Sequence, residues 1–102
     1  MTGVSLSAEF SDVLSDGYVT ASVSVGTSEV EAKVGASRQV GREMVYLENK
    51  GTTVIYYGPT GVTTSTGARL DKKQFVFLPI GAQGVFMIGD GVGGTVIVQE
   101  IA

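Results

Sequence analysis

The chain contains no cysteine, no histidine and no tryptophan. Without cysteine there is no disulfide framework and no thiol chemistry, and the redox compartment leaves no mark on the sequence. Without histidine a Ser-His-Asp triad is excluded, and so is any histidine-ligated metal site. Charged residues are few, at 17% of 102 residues, so part of the surface is expected to meet a partner rather than water. No run approaches the ~18 apolar residues of a membrane span. The first residues lack a basic patch followed by an apolar stretch, so no signal peptide is expected.

What is abundant is glycine and β-forming residues. Fifteen glycines are about twice the usual share. They are scattered, which reads as the turns of an all-β protein. A single domain of this length buries roughly 65% of its unfolded surface. Its core is real but thin, so association with other copies would support it. The net charge of −3 is uneven. Glu9, Asp12, Asp16, Glu29 and Glu31 all precede the first basic residue, Lys33. The bland reading is a solvated acidic face; the sharper one is an acidic N-terminal segment that meets a basic neighbour.

The stretch 42–70 organises the rest. Met44–Leu47 and Thr53–Tyr57 are β-rich runs flanking the segment Glu48-Asn49-Lys50-Gly51-Thr52, which predicts a β-hairpin closed by a tight turn. Gly51 and Gly58 are expected to supply positive φ angles at this turn and at the strand end. Earlier in the chain, Val19, Ala21, Val23 and Val25 alternate with polar residues, as do Val30, Ala32 and Val34. These read as two half-buried antiparallel strands. Later strands are expected over Gln74–Leu78, with Phe75 and Phe77 on one face, over Val85–Ile88 and over Thr95–Ile101. The last strands are apolar on both faces in places, as central strands or strands covered by another subunit would be. Seven to eight short strands at spacings of roughly ten residues predict a single antiparallel β-sandwich with a jelly-roll-like arrangement over residues 18–102. Residues 1–17 are expected to form an N-terminal arm or a short helix. Its apolar residues Leu6, Phe10, Val13 and Leu14 are candidate anchors in a protein interface, with the acids at a rim.

The same stretch resembles a family of small β-sandwich structural proteins of tailed-phage virions, of the capsid decoration (cement) or head-tail accessory type. Members show an Arg leading into a strand, Asn-x-Gly, an aliphatic-Tyr-x-Gly strand end, a Gly-Val-Thr-Thr-x-x-Gly loop and a Leu. Arg42, Asn49, Gly51, Ile55, Tyr56, Gly58, Gly61-Val62-Thr63-Thr64, Gly67 and Leu70 match these features. A weaker resemblance extends from Val23 to Glu100. Pro59 departs from the pattern, and residues 1–16 have no counterpart. The resemblance implies a virion protein, made in the host cytoplasm. It further implies a decoration protein that bridges major capsid subunits as a homo-oligomer, with a trimer favoured. A tail, collar or fibre-attachment component is the alternative within the same setting. A host-surface carbohydrate-binding module, with Tyr46, Tyr56 and Tyr57 as a stacking platform, is the rival from another class.

No constellation points to catalysis, and an enzyme is not expected. Gly89, Gly91 and Gly94 match G-x-G-x-x-G, but a β-rich run follows instead of the helix that dinucleotide binding requires. A hairpin turn is the better reading. Lys72 and Lys73 sit in a charged turn with no reaction partner. Glu43, Glu48, Asp71 and Asp90 offer no evident pair for acid–base work. Asp12 and Asp16 lack the spacing of a calcium loop. The basic residues Lys33, Arg38, Arg42 and Lys50 are interrupted by acids, which argues against a nucleic-acid stripe. No cofactor, metal, nucleic acid or membrane is expected.

Overall fold

A computed structural model describes residues 17–102. The expectations for residues 1–16, including the anchors Leu6, Phe10, Val13 and Leu14, lie outside the described residues. Eight strands follow one another: β1 (Tyr18–Val25), β2 (Val30–Glu31), β3 (Met44–Asn49), β4 (Ile55–Gly58), β5 (Ala68–Leu70), β6 (Phe75–Leu78), β7 (Phe86–Gly89) and β8 (Gly94–Ile101). They form two antiparallel four-stranded sheets. The first has the order β1-β8-β3-β6 and the second β2-β7-β4-β5. β1 pairs with β8, β2 with β7, β3 with β6 and β4 with β5, so the chain is one long hairpin rolled over on itself. This is the jelly-roll sandwich, the fold class expected from strand spacing.

The rolling follows from the one-sided strands. On β8, Gly94, Val96, Val98 and Glu100 are buried while Thr95, Ile97, Gln99 and Ile101 are half-buried. On β3, Val45, Leu47 and Asn49 point inward. Each such strand needs an apolar surface opposite, which the other sheet supplies through Ile55, Leu70 and Met87. Ten buried side chains form one core, with Tyr57, Leu78 and Ile80 among those packed against it. At about 25 cal/mol per Å² of apolar area, a fully buried Leu47 or Ile55 contributes about 1.5–3 kcal/mol.

Strand pairing differs from the sequence expectation in three places. Met44–Leu47 and Thr53–Tyr57 do not form a hairpin, because β3 lies in the first sheet and β4 in the second. Between them Asn49 turns the chain across the core. Its buried Nδ2 donates to the carbonyls of Thr53 at 2.9 Å and Leu70 at 3.0 Å, and its Oδ1 accepts the Gly51 amide at 3.0 Å. Likewise β1 and β2 belong to different sheets, and the second run shortens to Val30–Glu31. The glycine-rich segment after β7 crosses between sheets as well, since β7 and β8 are not paired. The apolar two-faced strands β7 and β8 are central in their sheets.

Neither Gly51 nor Gly58 has a positive φ; that conformation occurs at Gly41, Gly61, Gly81 and Gly93. Gly51 is required for a different reason. A Cβ there would meet the Thr95 amide nitrogen at 2.5 Å and the Gly93 carbonyl at 2.7 Å, both rigid backbone. Gly58 pairs with Phe86, and a Cβ would approach only the Val62 side chain, nearest a methyl at 3.2 Å.

Candidate interaction surface

The period of two along β3 and β6 sets Tyr46, Phe75 and Phe77 on the outer face of the first sheet. The register places Tyr46 opposite Phe77 and Glu48 opposite Phe75. The three rings form one cluster. Tyr46 lies 4.9 Å from Phe77 and 5.7 Å from Phe75, and the two phenylalanines meet edge-on at 6.1 Å. Phe75 is 60% exposed and Phe77 51%. Exposed aromatic residues grouped on one sheet face mark a contact surface more often than scattered ones do. Ile97, opposite Glu48, and Ile101, opposite Met44, extend the apolar face along β8.

Toward β1 the face becomes polar, with Thr20, Ser22 and Ser24 exposed, and two polar pairs on it are hydrogen-bonded. The Tyr46 hydroxyl donates to Glu48 Oε1 at 2.8 Å, and the Tyr18 hydroxyl donates to Gln99 Oε1 at 2.6 Å. Desolvation, followed by the hydrogen bond and charge of Glu48, pushes the Tyr46 phenol above its ordinary value of 10.0. Tyr46 is therefore a neutral donor at physiological pH.

One end of the sandwich is held by a buried ion pair that the sequence reading did not single out. Arg42 Nη1 lies 2.7 Å from Glu100 Oε2, and both side chains are almost fully buried. The remaining Arg42 donors reach the carbonyls of Gly81 at 3.0 Å, Ala32 at 3.2 Å and Gln83 at 2.5 Å. Glu100 also accepts the amides of Val34 at 3.0 Å and Gln39 at 3.2 Å. Two connections, the one after β2 and the one after β6, are thus tied to β8. The available signal was phase: Glu100 falls on the inward side of an otherwise apolar alternation. A charge there needs a buried partner.

The structure does not bring the three candidate platform tyrosines together. Tyr46 is on the outer face of the first sheet. Tyr56 is on the second sheet beside Ile88 and Arg69, while Tyr57 packs against the core. Of the acids considered, Glu48 is bonded to Tyr46 and Asp71 to Arg69. Lys73 is a turn residue with a φ of 67°, its amide donating to the Asn49 carbonyl at 2.8 Å. Among the described residues, no group of three or more acids, histidines or cysteines is placed to hold a metal ion. No helix there is long and apolar enough to cross a membrane.

No protein-family model matches the chain, and no curated protein matches it. Among solved structures, the chain is similar to one reported under "Bacillus endospore appendages form a novel family of disulfide-linked pili". The identity is 9% and the TM-score 0.41, over 82% of this chain and 84% of that one. It is also similar to a chain of the cyanophage Pam1 capsid asymmetric unit. That match has 18% identity and a TM-score of 0.30, over 82% of this chain and 78% of the other.

Proposed function

We propose that this chain is a structural protein of a tailed-phage virion. In the finer form of the proposal it is a capsid decoration protein that bridges major capsid subunits and assembles as a homo-oligomer. The observation that carries the reading is where the resemblance residues fall. Arg42 anchors the buried ion pair, Asn49 turns the chain between the sheets, Gly51 meets the backbone of Thr95, and Leu70 is core. Each of these residues has a distinct structural duty, which supports the reading. The aromatic face of Tyr46, Phe75 and Phe77 is the surface assigned to the capsid. Leu6, Phe10, Val13 and Leu14 are assigned to contacts between copies, and the sandwich of residues 18–102 is taken to fold without them.

The mechanism is stapling. Each copy adds a modest apolar contact to neighbouring capsid subunits, and many copies make the sum large. Catalysis plays no part. A turnover abolished by one Asp, Glu or Lys substitution would contradict this. The rival carbohydrate reading draws little from the aromatic cluster, because its rings meet at 33°, 53° and 84° and form no single flat platform.

Electron microscopy of purified particles tests the proposal. Hundreds of copies on the head support decoration, while about a dozen at the tail support the accessory alternative. Absence from particles overturns both. Binding on a glycan array that is lost in Phe75→Ser would favour the carbohydrate module instead. Removal of residues 1–16 should leave a β-type circular dichroism spectrum and weaken association. An unfolded product would show that these residues complete the core.

A further inference from the structure

β6 ends the first sheet among the described residues, and its free edge has a definite chemistry. The Asn49 amide donates to the Gln74 carbonyl, while the next residue along, Lys50, donates to Thr95 on the other side. Odd-numbered residues of β3 thus face β6 and even-numbered ones face β8. Val45 and Leu47 therefore bond to Leu78 and Val76 of β6. The main-chain groups of Phe75 and Phe77 are directed away from the sheet. No charge or proline lies within Phe75–Leu78 to blunt this edge.

The inner side of the same edge is open too. Two adjoining hollows of about 450 Å³ each lie between β6 and the opposite sheet. Val76, Tyr57 and Lys73 line one; Leu78, Ile80 and Ala68 are among the residues lining the other. Tyr57 borders both. An added strand would bond to Phe75 and Phe77 through its backbone and fill these hollows with alternate side chains.

We propose that β6 is completed by residues 4–10 of a second copy of this chain, added as an extended strand. That segment alternates strictly, with Val4, Leu6, Ala8 and Phe10 on one side and Ser5, Ser7 and Glu9 on the other. Its charge is complementary. Residues 1–16 hold Glu9, Asp12 and Asp16 and no basic side chain, while Lys73 lines the slot with Lys72 next to it in the β5–β6 turn; Arg69, also at the slot, is already paired with Asp71. A second copy is the favoured source because β1, which this segment precedes, lies at the opposite edge of the sheet. The pairing refines the homo-oligomer proposed above, but it holds whether or not the assembly is a capsid.

The test uses the full-length protein. In wild type, hydrogen exchange at the Phe75 and Phe77 amides should be slow and should slow further as protein concentration rises. Sedimentation should show species larger than a monomer. Phe77→Pro removes an outward N–H that the β3–β6 ladder does not use, so the fold can be kept while pairing is lost. Phe77→Ala keeps the N–H and should keep the association. A Leu6→Ser/Phe10→Ser variant leaves every sandwich residue intact and should sediment as a monomer with fast exchange at Phe75 and Phe77. Fast exchange in concentrated wild type overturns the proposal, as does association that survives in the Leu6/Phe10 variant. Concentration-independent protection in a monomer overturns the second copy in favour of the chain's own segment. Particle occupancy is a separate measurement, so failure of this pairing is distinguishable from failure of the virion reading.

Discussion

The sandwich keeps a pair of charges inside and a cluster of aromatic rings outside, and the two inversions carry different information. Arg42 and Glu100 are buried with their polar atoms engaged, so they report on how the end of the sandwich is held. Removing one partner strands the other, which costs far more than the pair itself contributes. Phe75 and Phe77 sit half in water on an edge strand, packed against Tyr46 and each other outside the core. Their cost to solubility makes sense only if something covers them. Internal polarity speaks to architecture here, and external apolarity speaks to association.

The sharpest break of this comparison is on the inside. Glu100→Ala leaves the Arg42 guanidinium buried without its carboxylate and should destabilise by about 3–5 kcal/mol in urea denaturation. An effect below about 1 kcal/mol would mean that the pair is solvated and not structural. Second comes Gly51→Val, whose Cβ would overlap the backbone of Thr95 and Gly93. We expect a loss of about 1–3 kcal/mol, larger than that of Gly58→Val, where one methyl can give way. Equal losses at both sites would count against the close-approach explanation.

On the outside, Phe75→Ser combined with Phe77→Ser should cost about 1–2 kcal/mol through the lost ring contacts with Tyr46, while on the proposed virion reading attachment to particles is lost. A melting temperature that collapses would make these rings part of the core instead. The smallest effect is spectroscopic. Tyr46 should titrate above 10.0 in ultraviolet absorbance. Because the folded-state value is raised, the corresponding stability is complete below the unfolded value and is lost as pH rises through the folded one. Glu48→Gln should bring the titration part of the way down, since desolvation is the larger cause and remains.

Strand existence was legible in the sequence, and strand partnership was not. The alternation of Val19 to Val25 located β1, and the runs at Phe75 and Val96 located β6 and β8, to within a few residues. The Asn49–Gly51 turn gives the same local signal whether the chain folds back within one sheet or crosses to the other. The contacts that go with the crossing, such as Asn49 Nδ2 to the distant Leu70, are not visible in that local signal. The run after Val30 keeps a two-residue ladder, beyond which Ala32 still donates to the Val85 carbonyl but Val34 donates to Glu100 instead. For the surface, pattern put Phe75 and Phe77 on one side without indicating which side faces the core. That was settled by Val76 and Leu78, the smaller set, turning inward.

The nesting of β1 with β8 has a consequence for the order of events at the ribosome. β8 is synthesised after every other described strand, yet it lies between β1 and β3 in the first sheet. Until it emerges, Tyr18–Val25 and Met44–Asn49 have no shared neighbour, and Arg42 waits for Glu100. Such long-range pairing is slow to nucleate and leaves strand edges unpaired in the meantime. The first sheet therefore closes only once β8 is available.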